Sequence, residues 1–263
     1  MLLDITDLAI SYSGNDKPTV QGVTFSLEKG EILSIVGESG SGKTTVIRAI
    51  LGSLPASGRV SNGTITFEDK NLLSYTNKDW LALRGKNISM IFQDSGNMMN
   101  PIQTIGKQFI EYIQIHSDMN KQQAQAKAIQ MLTRMNLPNP ENILKSYPFE
   151  LSGGMRQRVG IAMAITFEPQ LLLADEPTSA LDVTTQAQIV KELLFIARNS
   201  GTAMIVVTHN IGVASYISDK IMVMSQGKVV EYGTAREVIE SPKDSYTKSL
   251  LASVPQIGGK RYV

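Results

Sequence analysis

The sequence predicts an α/β fold built around a phosphate-binding loop, with antiparallel strands ahead of the loop and a helical insertion behind it. Three observations carry that prediction. First, Gly37-Glu38-Ser39-Gly40-Ser41-Gly42-Lys43-Thr44-Thr45 fits G-x-x-x-x-G-K-[ST] and lies between an apolar run, Ile32-Leu33-Ser34-Ile35-Val36, and a helical stretch over residues 46–51. Second, three more apolar runs, residues 88–92, 171–174 and 203–207, deliver Gln93, Asp175-Glu176 and Thr208-His209 at their C-terminal ends. Third, residues 94–150 change character and read as helices.

The elements follow in order. Residues 2–12 alternate loosely, whereas Val23, Phe25 and Leu27 alternate cleanly, so both segments read as strands with one solvated face. Tyr12 lies just before the turn Gly14-Asn15-Asp16, where it either stacks on a nucleotide base or is simply an edge-strand tyrosine. Lys29-Gly30 is a turn, and the loop strand follows. Within the loop, glycines let successive N–H groups point inward, and the helix N-terminus adds partial positive charge. Lys43 is expected to reach the β and γ phosphates of a nucleotide, and the Thr44 hydroxyl to ligate Mg²⁺. The helix stops at Gly52, a Gly/Ser/Pro-rich stretch runs to Gly63, and Thr64-Ile65-Thr66-Phe67 reads as a hairpin strand.

Residues 77–84 read as a short helix. The insertion offers helices over residues 104–116 and 121–135, the second presenting Ala124, Ala128, Met131, Leu132 and Met135 on one face. Its methionines read as core filler and His116 as a surface residue. Glu150-Leu151-Ser152-Gly153-Gly154 opens a helix over residues 155–167, ended by Pro169. With Ser152 as cap and exposed N–H groups at Gly153-Gly154, this start is either a second anion site or a plain capped helix. Charge at the end of a buried strand needs a partner, so Asp175 has the place of a metal-binding carboxylate and Glu176 that of a group polarising water. His209 stands at a third such tip. Residues 182–199 read as a helix ending at Gly201, residues 220–224 and 229–232 as a hairpin, and residues 235–240 and 246–251 as short helices parted by Pro242.

Bulk composition sets limits. The chain has 263 residues, 42% hydrophobic, with 25 basic and 24 acidic side chains and a net charge of +1. That balance gives no argument for a nucleic-acid partner. No cysteine is present, which excludes disulfides and thiolate metal sites within the chain. The N-terminus lacks a basic and then apolar leader pattern. No apolar run approaches the about 18 residues of a membrane span, so a cytoplasmic protein is expected, with any membrane role supplied by a partner.

Taken together, the motifs resemble those of the ATP-binding subunit of ABC transporters, in the family's order and over the whole chain. Residues 37–45 match the Walker A loop, Gln93 the Q-loop, and Leu151-Ser152-Gly153-Gly154-Met155-Arg156-Gln157 the signature. Residues 171–175 with Glu176 match Walker B and its catalytic glutamate, Ser179-Ala180-Leu181-Asp182 the D-loop, His209 the switch histidine and Tyr12 the adenine-stacking aromatic. The resemblance implies a P-loop NTPase (RecA-like) core over residues 1–93 and 159–263, with an N-terminal antiparallel β subdomain and a helical insertion over 94–158. It implies ATP and Mg²⁺ as cofactors. Thr44, Gln93 and Asp175 would hold the metal directly or through water. Lys43 and the backbone of residues 40–45, with Gly37, Ser39, Gly40, Ser41, Gly42 and Thr45 in the loop, would hold phosphates. Glu176 would orient the hydrolytic water and His209 would contact the γ-phosphate. Ser152 and Gly154 would act in trans on ATP bound to a second ATP-binding subunit, identical or related, with Asp182 in the D-loop. The insertion would dock on transmembrane permease subunits, with an extracytoplasmic solute-binding protein engaged indirectly. The place of work would be the cytoplasmic face of the inner membrane, bound peripherally.

The signature string LSGGMRQRV and the tail Ser241-Pro242-Lys243-Asp244-Ser245-Tyr246-Thr247-Lys248-Ser249-Leu250-Leu251, running on to Val254-Pro255, resemble the peptide and nickel importer branch. That branch commonly has His-Pro where Asp244-Ser245 stand, and longer members carry a cysteine cluster that this chain is expected to lack. Asn210 replaces an aspartate often found after the switch histidine. The alternative readings are a soluble, non-transport ABC ATPase and a nucleotide kinase or GTPase. The first is disfavoured by a single phosphate loop and a short insert, the second by the signature string.

Overall fold

The computed structural model describes every residue except Asn15, Asp94, Asn97, Ala180, 253–255, 258, 259, 262 and 263. The tail end Val254-Pro255, the centre of the Gly14–Asp16 turn, the first residue of the insertion and the D-loop alanine therefore lie outside the described residues. The loose alternation at the N-terminus has a local cause. β1 (Leu3–Tyr12) pairs antiparallel with β2 (Val20–Leu27). Leu3 and Ile5 are buried, and so are Leu8 and Ile10, so the inward phase slips by one residue between the two pairs. Asp7 occupies the slip at φ 48°, and the register with β2 shifts there. Such a bulge keeps both halves of a strand facing one core when their sequence phases differ.

β3 (Ile32–Val36) is buried at all five residues and feeds α1 (Lys43–Ile50). β4 (Gly58–Phe67) is longer than the expected strand over residues 64–67. The Gly/Ser-rich start, expected as loop, is strand because it pairs with the second half of β1, Tyr12 opposite Gly58 and Ile10 opposite Val60. Gly63 explains the weak strand signal there. It sits at φ 88° against the bulge, where a Cβ would lie 2.4 Å from the Asp7 carbonyl oxygen. β5 (Lys70–Asn71) completes an antiparallel sheet ordered β2-β1-β4-β5.

α2 (Asn77–Leu83) precedes β6 (Ile88–Ile91). The insertion holds α3 (Ile105–His116), capped by Thr104, and α4 (Lys121–Arg134), opened by an Asn120/Gln123 capping box. It also holds α5 (Pro140–Lys145), which starts on proline and is too short to show a period. α4 buries the expected face of Ala124, Ala128, Met131 and Leu132. α6 (Gly153–Ala164) begins two residues earlier and ends three residues earlier than expected. The Ser152 side chain accepts from the Met155 N–H and fixes the start, and Glu168 at φ 50° lies well past the end. His116 is not a simple surface residue. Its ring is half-buried and meets the rings of Tyr112 and Phe167 edge-on, with centroids 4.9 and 5.8 Å away. Burial lowers its pKa, and Lys86 adds to the effect.

β7 (Leu171–Asp175), α7 (Val183–Ser200), β8 (Ala203–Thr208) and α8 (Ile211–Ile217) come next, followed by the hairpin β9 (Lys220–Ser225) and β10 (Lys228–Thr234). Its Gln226-Gly227 turn has φ 48° and 79°, the two left-handed residues of a tight hairpin. α9 (Ala235–Glu240) and α10 (Ser245–Ala252) follow. Two compact units result, residues Met1–Leu81 with Ala197–Val263, and Ala82–Ile196. In the first, β3 lies between β8 and β9, parallel to both, and β10 is antiparallel to β9. In the second, β6 and β7 form a parallel pair. Strands buried on both faces read as near-continuous apolar runs, as β3, β7 and β8 do.

α8 was not anticipated. Its cap is Asn210, whose Oδ1 accepts from the N–H groups of Gly212 (2.9 Å) and Val213 (3.2 Å). Asn210→Ala is expected to lower the stability to urea unfolding by about 1 kcal/mol, the usual worth of an N-cap, while Asn210→Asp retains it. Equal midpoints for Asn210→Ala and the unsubstituted chain would show that the cap is idle.

Candidate nucleotide site

Two clusters of chemistry-bearing residues are built at strand tips, one within each unit. In the first unit Val36 is paired with Thr208 on one side and Val223 on the other. The phosphate loop and His209, one residue past those partners, therefore leave adjacent strands at the same level. Gly37 is required where it stands: at φ 151°, a Cβ would lie 2.1 Å from the Met224 carbonyl oxygen. The loop closes around a buried ammonium. Lys43, 6% exposed, donates from Nζ to the carbonyls of Gly37 (2.8 Å) and Glu38 (2.7 Å). Ser41 is buried and its carbonyl accepts from the Gly227 N–H at 3.2 Å, tying the loop to the β9–β10 turn. Glu38, Ser39 and Gly40 form an exposed rim, and Gly42 precedes α1, whose first turn carries half-buried Thr44 and Thr45.

Tyr12 reaches this first turn. Its hydroxyl lies 3.4 Å from Thr45 Oγ1, and its ring covers Gly58, where a Cβ would meet Tyr12 Cε1 at 2.8 Å. Tyr12 thus stands beside the first turn of α1. His209 is exposed beside buried Thr208, whose hydroxyl accepts from the Asn210 N–H at 3.0 Å.

In the second unit Ile91 stands opposite Ala174, so Gln93 and Asp175-Glu176 leave adjacent tips. Asp175 is 4% exposed. Glu176 adopts φ 48°, a conformation costing a non-glycine residue about 1–3 kcal/mol and concentrated at functional sites. Ser179 braces it. The Ser179 N–H donates to the Glu176 carbonyl at 3.1 Å, and the Ser179 hydroxyl lies 3.0 Å from that oxygen and 3.5 Å from the Gln93 carbonyl.

Gln157 has no role in the sequence reading beyond membership of the signature string. It is 5% exposed; its Nε2 donates to the Pro177 carbonyl at 2.9 Å, and its Oε1 accepts from the Ser95 N–H at 3.4 Å. One side chain on α6 thus grips the segment after Gln93 and the segment after Glu176. A polar residue on the buried side of a helix was the signal available. The starts of α6 and α7 are neighbours: a Cβ on Gly154 would meet Thr185 Cγ2 at 2.9 Å. Ser152 is exposed and caps α6, and Asp182 accepts from the Thr185 N–H (3.0 Å) and hydroxyl (2.6 Å). Those two bonds, the hydroxyl's first, hold the Asp182 carboxyl below its usual pKa.

The family model described as ABC transporter matches residues 20–179, which include the phosphate loop, Gln93, the start of α6 and Asp175-Glu176. The chain belongs to the ABC transporter family. This ABC ATPase is 44% identical to the oligopeptide transport ATP-binding protein OppD of Bacillus subtilis over 97% of its own length and 72% of that protein. It is 43% identical to the dipeptide transport ATP-binding protein DppD of the same organism, over 97% and 77% respectively. Among solved structures, the dimeric post-hydrolysis state of the ATP-binding cassette MJ0796 with ADP and Pi superposes with a TM-score of 0.79 at 26% identity, covering 89% of this chain and 99% of that one. The expected P-loop core with β subdomain and helical insertion is thus borne out. The non-transport ABC ATPase weighed as the alternative gains no support from these transport proteins. Among the described residues, no helix of the ABC ATPase is long and apolar enough to cross a membrane, and no group of three His, Cys, Asp or Glu side chains is placed to hold a metal ion.

The approach of α6 to the segment after Gln93 is set by Gly160, where a Cβ would lie 2.5 Å from both Cβ and Oγ of Ser95. Alanine gains about 1 kcal/mol over glycine in a helix, but overpacking of this kind costs about 1–3 kcal/mol. Gly160→Ala is therefore expected to destabilise the chain, and Ser95→Gly to restore stability when combined with it. Urea unfolding of the double-mutant cycle measures the coupling, and strict additivity would disprove the contact.

Proposed function

We propose that this chain is the ATP-hydrolysing subunit that energises a membrane importer of peptides, working at the cytoplasmic face of the cell membrane. The observation that carries the reading is the buried Lys43 ammonium, drawn over a glycine loop at a strand tip in a chain of this family. The peptide class is supported by the relatives OppD and DppD, named for oligopeptide and dipeptide transport. Nickel, held open beside it at first, has no such support.

Lys43 and the N–H groups of residues 40–45 hold the β and γ phosphates, and Tyr12 stacks on the base. Thr44, Gln93 and Asp175 would hold Mg²⁺. They fit it chemically, because all three offer hard oxygen donors and only one is a carboxylate, the pattern of an ion shared with phosphates. When bound, the ion would supply positive charge against the phosphates. Glu176, fixed by Ser179, orients water toward the γ-phosphate and accepts its proton, and His209 contacts that phosphate. Ser152 and Gly154, with Asp182 nearby, close over ATP on a second ATP-binding subunit, identical or related. The dimeric state of the cassette MJ0796 supports that arrangement. Residues 94–158 dock on the permease, whose solute arrives through an extracytoplasmic binding protein. Ile102, 82% exposed, and Phe149, 69% exposed, supply apolar surface for such a contact.

Glu176→Gln should bind ATP with unchanged affinity and lose turnover by about 10²-fold or more. Phosphate release and nucleotide titration on the purified variant measure both, and wild-type turnover would reject the assignment. The shared site needs a separate variant. Because Thr185 crowds Gly154, a substitution there strains the chain by itself, whereas Ser152→Asp keeps a good cap and adds only charge. Ser152→Asp should leave ATP binding by the monomer intact and abolish concentration-dependent hydrolysis, since a carboxylate would face the partner's phosphate. Full activity of Ser152→Asp at every protein concentration would show that the site is not shared.

A further inference from the structure

The tail residue Tyr246 touches the phosphate loop. The Glu38 N–H donates to Tyr246 Oη at 2.9 Å. That N–H and the Gly37 carbonyl are the two polar ends of a single peptide plane. The carbonyl end accepts from Lys43 Nζ at 2.8 Å. One rigid peptide is thus held between a tyrosine hydroxyl and the ammonium that binds phosphate, so turning it breaks both bonds at once.

Tyr246 is itself firmly placed. Its half-buried ring packs on the cluster of Val36, Ala214, Ile221, Val223 and Val238, which includes the last residue of β3 before the loop. Its N–H donates to Asp244 Oδ1 at 2.8 Å, so Asp244 caps α10. The Glu231 carboxylate on β10 accepts from the N–H groups of Lys243 (2.8 Å) and Asp244 (3.2 Å). Burial works against its charge, yet the hydrogen bonds it receives outweigh burial and lower its pKa. From β10 to the loop, every link is a hydrogen bond or a packed ring.

We infer that Tyr246 is a positioning residue for nucleotide binding: its hydroxyl sets the Gly37–Glu38 peptide and, through that carbonyl, the Lys43 ammonium. The inference rests on the reading that this loop holds the phosphates of ATP. Without the hydroxyl, the exposed Glu38 N–H turns to water and the peptide loses one of its two anchors. Lys43 bonds phosphate in bound ATP and at the transition state alike, so the loss falls on affinity rather than on the maximal rate.

The test uses the full chain and N-methylanthraniloyl-ATP followed by fluorescence. Tyr246→Phe keeps the ring and removes one hydrogen bond. It should weaken the analogue about fivefold, in the range of one lost neutral bond, and raise the KM for ATP hydrolysis with kcat nearly unchanged. Amide exchange at Glu38, read residue by residue by NMR, should quicken while amides of β3 and the unfolding midpoint stay as in the parent. Lys43→Ala is the control for the underlying reading. Weakened binding in Lys43→Ala with parental binding in Tyr246→Phe overturns the positioning role alone; parental binding in both overturns the loop reading with it. A fall in the unfolding midpoint of Tyr246→Phe at unchanged KM makes the tyrosine merely structural and also overturns the inference.

Discussion

An ammonium group taken out of water must be surrounded by oxygen, and that requirement shapes the phosphate loop. Lys43 is almost wholly buried, and an uncompensated charge there would cost several kcal/mol. The loop turns the Gly37 and Glu38 carbonyls onto it. Turning them that way requires a residue at position 37 without a Cβ, because the Met224 carbonyl occupies the space. The glycine, the lysine and the neighbouring strand end are therefore one constraint. The cation is thereby held in place by the loop's own carbonyls.

A second constraint acts at the strand ends. Parallel strands buried on both faces cannot carry charged side chains along their length, so charged chemistry collects where they stop. Register then decides which groups become neighbours. Val36 opposite Thr208 sets the loop beside His209, and Ile91 opposite Ala174 sets Gln93 beside Asp175 and Glu176. Small polar residues hold these tips. Ser179 bonds the backbone of Glu176 in a strained conformation, and Gln157 ties the two following segments to α6. Strain at Glu176 is sustained only because its neighbours over-determine it.

The sequence was legible where a single physical signal dominated. Residues 32–36, 171–174 and 203–207 are short apolar runs with no competing period, and each proved to be a buried strand. The face of α4 was readable because Ala124, Ala128, Met131 and Leu132 repeat at helical spacing. Legibility failed where tertiary partners outvoted composition. The start of β4 looks like loop because Gly58, Ser61 and Gly63 suit a bulged strand against β1 and suit little else. His116 looked like a surface residue because nothing local reveals that Phe167, fifty-one positions on, meets its ring. Gln157 was visible but mute, since its partners at Ser95 and Pro177 lie on other segments.

The positions that departed from the family pattern obey local chemistry that a motif does not express. Asn210 stands where aspartate is common, and its Oδ1 caps α8 with two backbone bonds. An amide and a carboxylate share the acceptor that this task needs, so the exchange keeps the helix and removes only a charge. Asp244-Ser245 stand where His-Pro is common. Proline at a helix start presets φ and removes an N–H that would otherwise lack a partner. Asp244 reaches the same end by accepting the N–H of Tyr246 and bonding through its own N–H to Glu231. Both replacements conserve the start of a short helix, and in both cases the helix lies one step from the phosphate loop, behind His209 for α8 and through Tyr246 for α10. What the sequence preserves at these places is the direction of a helix entry, with more than one residue able to set it.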